Sequence, residues 1–87
     1  MLIAELTEQL VDADGTAYVV RVGGGLRRDG MWVGWLEFVA VGERQVWRTG
    51  VETTQSSRED LVYWASGLEP AYLEGAFARA KIGRAHV

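Results

Sequence analysis

The sequence predicts an α+β domain: an antiparallel meander of three or four strands followed by two C-terminal helices packed on one sheet face. Three observations point to this class. Runs of β-branched and aromatic residues, separated by short turn sequences, fill residues 2–51. Apolar residues recur at helical spacing from residue 61 onward. The chain has only 87 residues, so we expect a single small core.

The first two predicted strands form a hairpin. Residues 2–11 fit either a strand or a helix face, because leucines recur there every four residues. The turn sequence at residues 12–15 ends in glycine and favours the strand interpretation. Residues 17–22 contain three valines and a tyrosine, residue types that favour strands, and form the second arm. We expect the three glycines at residues 23–25 to end it in a flexible loop.

Two more strands complete the meander. Residues 27–30 make the next turn, and residues 31–41 (MWVGWLEFVAV) are the strongest strand pattern in the chain. A short turn at residues 42–44 leads into a returning strand at residues 45–51. The polar residues 53–56 are then expected to leave the sheet.

Two helices follow the predicted sheet. The first has two possible capping registers, Ser57 with Asp60 or Ser56 with Glu59. The second begins at Pro70, because proline suits the first helical position. The residues expected to face the core are Leu61, Trp64, Ala65 and Leu68 in the first helix, and Tyr72, Leu73, Ala76, Phe77 and Ala80 in the second.

Composition excludes several kinds of site. The chain has no cysteine and one histidine, so thiolate nucleophiles, disulfides and two-histidine metal sites are excluded. Glu37, Glu52 and Glu59 would serve as acid–base groups only if the fold gathered them. We therefore expect no enzyme, cofactor or metal. No apolar run approaches the length of a membrane span, and no signal-peptide pattern is present, so we expect a cytoplasmic protein.

The predicted sheet carries more apolar surface than one face can bury. Alternation along residues 31–41 places Val33, Trp35 and Val39 on the face opposite Leu36 and Phe38. Such a face would bind a protein partner or a second copy. Alternatively, Arg21 or Arg48 covers Trp35 and the patch is small. The candidate partner-binding residues are Trp35, Val33, Val39, Trp47, Thr53, Thr54 and Gln55.

Nucleic-acid binding is the alternative function. Aromatic side chains on an open sheet can stack bases when a basic groove lies beside them. The net charge of −3 opposes this mode, so nucleic acid is not the favoured partner. Five arginines nevertheless lie in the predicted sheet half: Arg21, Arg27, Arg28, Arg44 and Arg48. We expect Glu37 to form a salt bridge with a cross-strand arginine from this set.

Two strings in the C-terminal half carry a resemblance. RTGVETTQ at residues 48–55 and YWASGLEPAYLEGA at residues 63–76 resemble a group of short uncharacterised bacterial proteins, which are similar over most of residues 15–80. The resemblance implies no activity and no site residue. The order of three strands and then a helix is also similar to HicB-like antitoxins and to double-stranded-RNA-binding folds, as an analogy of fold alone.

The last six residues, IGRAHV, resemble a translated sequencing adapter. The common short-read adapter read as ATC GGA AGA GCA CAC GTC, followed by the stop codon TGA, encodes this string. We interpret the match as adapter read-through in a draft or metagenomic assembly. The natural domain is then residues 1–80, residues 81–87 are a non-native tail, and His86 has no functional role.

Overall fold

An antiparallel sheet forms one layer of the molecule and two helices form the other. The computed structural model describes residues 1–85. The strands are β1 (Leu2–Val11), β2 (Ala17–Leu26), β3 (Trp32–Ala40), β4 (Val46–Arg48) and β5 (Thr53–Gln55). They lie in the order β1-β2-β3-β4, and β5 pairs with β3 beside β4. The predicted α+β class, with an antiparallel meander and two C-terminal helices, is confirmed.

β1 resolves the ambiguity of residues 2–11 in favour of a strand. It pairs with β2 along its length, with register shifts between Leu2 and Ala4 and between Glu5 and Gln9. The predicted turn follows, and its glycine, Gly15, has a φ of +87°. This left-handed conformation costs glycine little, because glycine has no Cβ. The hairpin predicted from the turn sequence is therefore present.

The three glycines at residues 23–25 do not end the second strand. They lie inside β2 and pair with β3 in continuous register, with Gly24 opposite Gly34. A Cβ at Gly24 or Gly34 would lie 2.7 or 2.6 Å from a methyl carbon of Leu61. The predicted flexible loop is wrong, because these glycines provide room for packed side chains within a continuous strand.

The fourth strand is interrupted where we expected a single strand at residues 45–51. Between β4 and β5, the Thr49 N–H donates to the Leu36 carbonyl at 2.9 Å, and the Thr49 hydroxyl accepts from the Leu36 N–H at 3.0 Å. The Glu52 N–H then donates to the Gly34 carbonyl at 2.8 Å. A threonine side chain thus replaces one backbone acceptor, and residues 53–55 return to the sheet, which corrects the expectation that residues 53–56 leave it.

The helices are α1 (Arg58–Ser66) and α2 (Pro70–Ala85). The Asp60 N–H donates to the Ser57 hydroxyl at 3.0 Å, which selects Ser57 over Ser56 as the N-cap. Pro70 opens α2 as predicted. The helix continues into the adapter-like residues and is described to Ala85, whereas His86 and Val87 lie outside the described residues. Within the described residues, no helix is both long and apolar enough to span a membrane.

The core lies between the helices and one face of the sheet. The Phe77 ring lies 4.8 Å from that of Tyr18 and 5.1 Å from that of Phe38, measured between centroids. Tyr72, predicted to face the core, is instead 39% exposed. The buried apolar residues are Tyr18, Val20, Val22, Leu36, Phe38 and Ala40 from the sheet, and Leu61, Ala65, Leu73, Ala76, Phe77 and Ala80 from the helices.

The glycine pair under Leu61 makes a testable prediction. Gly34→Ala forces a methyl group against a fully buried leucine and should lower the free energy of unfolding by about 1–3 kcal/mol. Gly50→Ala is the matched control, because no atom lies within 4 Å of its added methyl group. Urea denaturation of both variants provides the measurement, and an equal effect at the two positions would contradict the packing described.

Candidate functional site

The side of the sheet that faces away from α1 and α2 is termed the open face. Strand alternation places every second residue of β2 and β3 there, opposite the buried Val20, Val22, Leu36 and Phe38. The residues of the open face are Leu2, Glu5, Gln9 and Val11 from β1, Ala17, Val19, Arg21, Gly23 and Gly25 from β2, Val33, Trp35, Glu37 and Val39 from β3, Val46 and Arg48 from β4, and Thr54 from β5.

Four charged residues cross the open face in a single row, termed the charge ladder. Glu5 pairs in register with Arg21, Arg21 with Glu37, and Glu37 with Arg48. The signs alternate across all four strands of the meander. The Arg21 Nε–H donates to the Glu5 carboxylate at 3.0 Å, so one pair is in direct contact. Opposite charges on adjacent strands stabilise the observed register.

Trp35 is the central aromatic residue of the open face. Its ring lies over Gly23, where any Cβ would overlap with the indole. Its Nε1–H donates to the Glu37 carboxylate at 2.8 Å, and the Arg48 guanidinium lies 4.1 Å from the ring centroid. The indole is therefore held between a glycine, a carboxylate and a cation, and it is only half-buried. Of the two arginines expected to cover it, Arg48 does so.

Apolar residues lie on both sides of the charge ladder. Val19, Val39 and Val46 pair in one row next to it, and Val33 lies beyond Trp35 on the other side. These four valines are half-buried although neither helix covers them. Val19, Val39 and Val46 are close enough to shield one another, since cross-strand neighbours on one face are about 5 Å apart. The open face thus carries half-buried apolar side chains on both sides of one row of charges.

The predicted partner-binding residues divide between the two faces. Trp35, Val33, Val39 and Thr54 come together on the open face. Trp47 pairs with Phe38 and packs against the core instead. Thr53 and Gln55 lie on the helix side with their side chains bonded to each other, the Gln55 amide donating to the Thr53 hydroxyl at 2.6 Å.

Glu52 has a structural contact that the sequence did not indicate. Its carboxylate accepts a hydrogen bond from the Tyr72 hydroxyl at 2.6 Å and another from Arg79, and its side chain is only 10% exposed. These contacts join α2 to the segment between β4 and β5. Partial burial and the neighbouring Glu52 carboxylate raise the pKa of the Tyr72 phenol. Glu37 lies on the open face, so the fold does not gather the candidate carboxylates Glu37 and Glu52.

The five arginines do not form one basic groove. Arg21 pairs with Glu5, Arg27 pairs with Asp29, and Arg48 stacks on Trp35. Arg28 and Arg44 are exposed but lie in turns at opposite ends of β3. Among the described residues, the expected salt bridge of Glu37 is absent: its carboxylate accepts from Trp35, while Arg21 pairs with Glu5 and Arg48 stacks on Trp35, although Glu37 lies in register between the two arginines.

The contact between Tyr72 and Glu52 predicts a pH dependence. The pKa of Tyr72 is raised in the folded state above 10, the usual pKa of tyrosine. The stability that the protonated Tyr72 hydroxyl contributes is therefore complete well below pH 10 and is lost as the pH rises through the raised pKa. Tyr72→Phe should therefore cost about 1 kcal/mol at neutral pH, and the difference from wild type should shrink at higher pH. Urea denaturation at neutral pH and above pH 10 measures the free energy of unfolding of wild type and variant. Tyr63→Phe, at an exposed tyrosine, is the control. A difference that stays constant with pH would argue against the contact.

The half-buried position of Trp35 predicts a modest effect of mutation on folding. Trp35→Ser removes a side chain from the open face and should cost about 1–2 kcal/mol of folding free energy. Phe38→Ser, three residues along the same strand, removes a fully buried ring and should cost about 4 kcal/mol or more. Thermal unfolding followed by circular dichroism compares the two variants. Global unfolding of Trp35→Ser would show that Trp35 belongs to the core.

No protein-family model, curated protein or solved structure matches this chain.

Proposed function

We propose that this chain is a non-catalytic protein-interaction module that binds through the open face of its sheet. The observation that carries the proposal is the apolar surface around Trp35, which neither helix covers. Large contiguous apolar patches on soluble domains mark interaction surfaces. Tryptophan and arginine, which meet here as Arg48 stacked on Trp35, are the residue types enriched at the centre of protein interfaces.

The charges of the open face favour a protein partner over nucleic acid. A nucleic-acid surface presents unpaired cations to phosphates. Here the two arginines of the charge ladder alternate with two carboxylates, so the row is neutral overall. Alternating charges between apolar rows fit a partner that presents both apolar groups and charges of both signs. A protein surface has that composition.

Site-specific photo-cross-linking tests the proposal. A benzophenone amino acid replaces Val39 on the open face of the full chain, which is expressed in a bacterial host. Ala78, exposed on α2, is the control position. We expect a covalent protein adduct from position 39 and none from position 78 after irradiation. The absence of an adduct at position 39, or equal adducts at both positions, would contradict the proposed function.

A further inference from the structure

We infer that the occupant of the open face is a second copy of this chain, related to the first by a two-fold axis parallel to the strands. This inference rests on the proposed function, since it names the partner of the same surface. Two observations carry the inference: the order of charges in the charge ladder, and the residues in the rows on either side of the ladder. A two-fold rotation brings each of these onto a matching set in the second copy.

The charge ladder is self-complementary under one rotation only. A half-turn about an axis parallel to the strands reverses the order of strands across the sheet but keeps each row at its own level. The ladder Glu5, Arg21, Glu37, Arg48 then meets its own reverse. Glu5 faces Arg48 of the second copy, and Arg21 faces Glu37 of the second copy. Every contact is between opposite charges, and each occurs twice.

The alternative two-fold axis, along the ladder itself, gives the opposite result. That rotation keeps the order of strands, so Glu5 would face Glu5 of the second copy and Arg21 would face Arg21. Like charges placed opposite each other in an interface are strongly unfavourable. The alternation of signs therefore selects the axis parallel to the strands.

The rows beside the ladder fit the same arrangement. With the axis between β2 and β3, β3 of one copy faces β2 of the other. Val39 then lies opposite Val19 of the second copy, because these two valines are register partners within one sheet. Trp35 likewise lies opposite Gly23 of the second copy, and because each indole lies over the Gly23 of its own chain, the two Trp35 rings meet each other near the axis. The valines at the centre of the valine row thus meet valines, as in two sheets packed about 10 Å apart, and Val46 at its edge meets Gln9 of the second copy.

Charge reversal with complementation tests this arrangement. Arg21→Glu places a carboxylate against Glu37 of the second copy, and Glu37→Arg places a guanidinium against Arg21 of the second copy. Each variant alone should dimerise at least ~10-fold more weakly than wild type. In an equimolar mixture of the two variants, every ladder position meets its opposite again, so we expect a heterodimer with near wild-type affinity. Sedimentation equilibrium of the full chains measures all four samples.

Controls separate this effect from damage to the fold. Arg27→Glu reverses a cation that pairs with Asp29 in the turn between β2 and β3, outside the open face, and should leave dimerisation unchanged. Circular dichroism monitors folding of every variant. If a reversal variant does not fold, Arg21→Gln and Glu37→Gln replace it. Each neutral variant should weaken dimerisation, and mixing them should restore only part of it, because the heterodimer regains one of the two Arg21–Glu37 contacts between copies.

The outcomes are distinct. A wild-type chain that stays monomeric, reversal or neutral variants that dimerise as tightly as wild type, or a mixture of reversal variants that does not associate would each overturn the inferred dimer. If the chain is monomeric while position 39 cross-links to a different protein, the second copy is excluded but the interaction module stands. If the chain is monomeric and position 39 gives no adduct, the proposed function fails as well.

Discussion

The contact of Leu61 with the Gly24–Gly34 pair sets how closely α1 packs on the sheet, and the remaining arrangement of the fold follows from it. The two glycines are opposite each other in β2 and β3, and both would collide with Leu61 methyl groups if they carried a Cβ. Because neither glycine has a side chain, α1 can lie close to the sheet. α2 packs on the same face, where Phe77 meets Tyr18 and Phe38. Because both helices pack on one side of the sheet, neither of them covers the open face.

The same glycine-rich segment shapes the open face. Gly23 precedes Gly24 in β2, and its missing side chain makes room for the Trp35 ring on the opposite side of the sheet. The ring position in turn places Nε1 at Glu37 and the ring face under Arg48. Strand register thus fixes the charge ladder, and Gly23 fixes the position of Trp35 beside it. The self-complementary order of charges that we assign to dimerisation is a consequence of that register.

Local sequence signals predicted the elements whose causes are local. The turn at Gly15, the start of α2 at Pro70 and the meander of alternating strands all follow from short-range chemistry. Serine capping was predicted with two registers, and hydrogen bonding selected Ser57. Alternation also predicted that Trp35 and Val39 share a face. The glycines at residues 23–25 were misassigned because local propensity treats glycine as a strand breaker, whereas packing across the fold requires glycine there.

The sequence did not predict the features that depend on contacts between residues far apart in the chain, because no local pattern encodes such contacts. The interrupted fourth strand depends on the Thr49 hydroxyl accepting from Leu36, thirteen residues away, and no local pattern encodes that bond. The contact of Glu52 with Tyr72 and Arg79 also depends on tertiary placement. The charge ladder requires the registers of three strand pairs, including the shifts in β1. The four charged residues of the ladder can be identified in the sequence, but their alignment across neighbouring strands cannot.

An isotope-filtered NOE experiment on a mixture of labelled and unlabelled chains shows whether the open face of one copy packs on that of another, because it detects only contacts between copies. We expect intermolecular NOEs between the methyl groups of Val39 and those of Val19 of the second copy. Intermolecular NOEs that instead involve the helix residues Tyr63 or Tyr72, or none at all under conditions where the chain is fully associated, would contradict this packing.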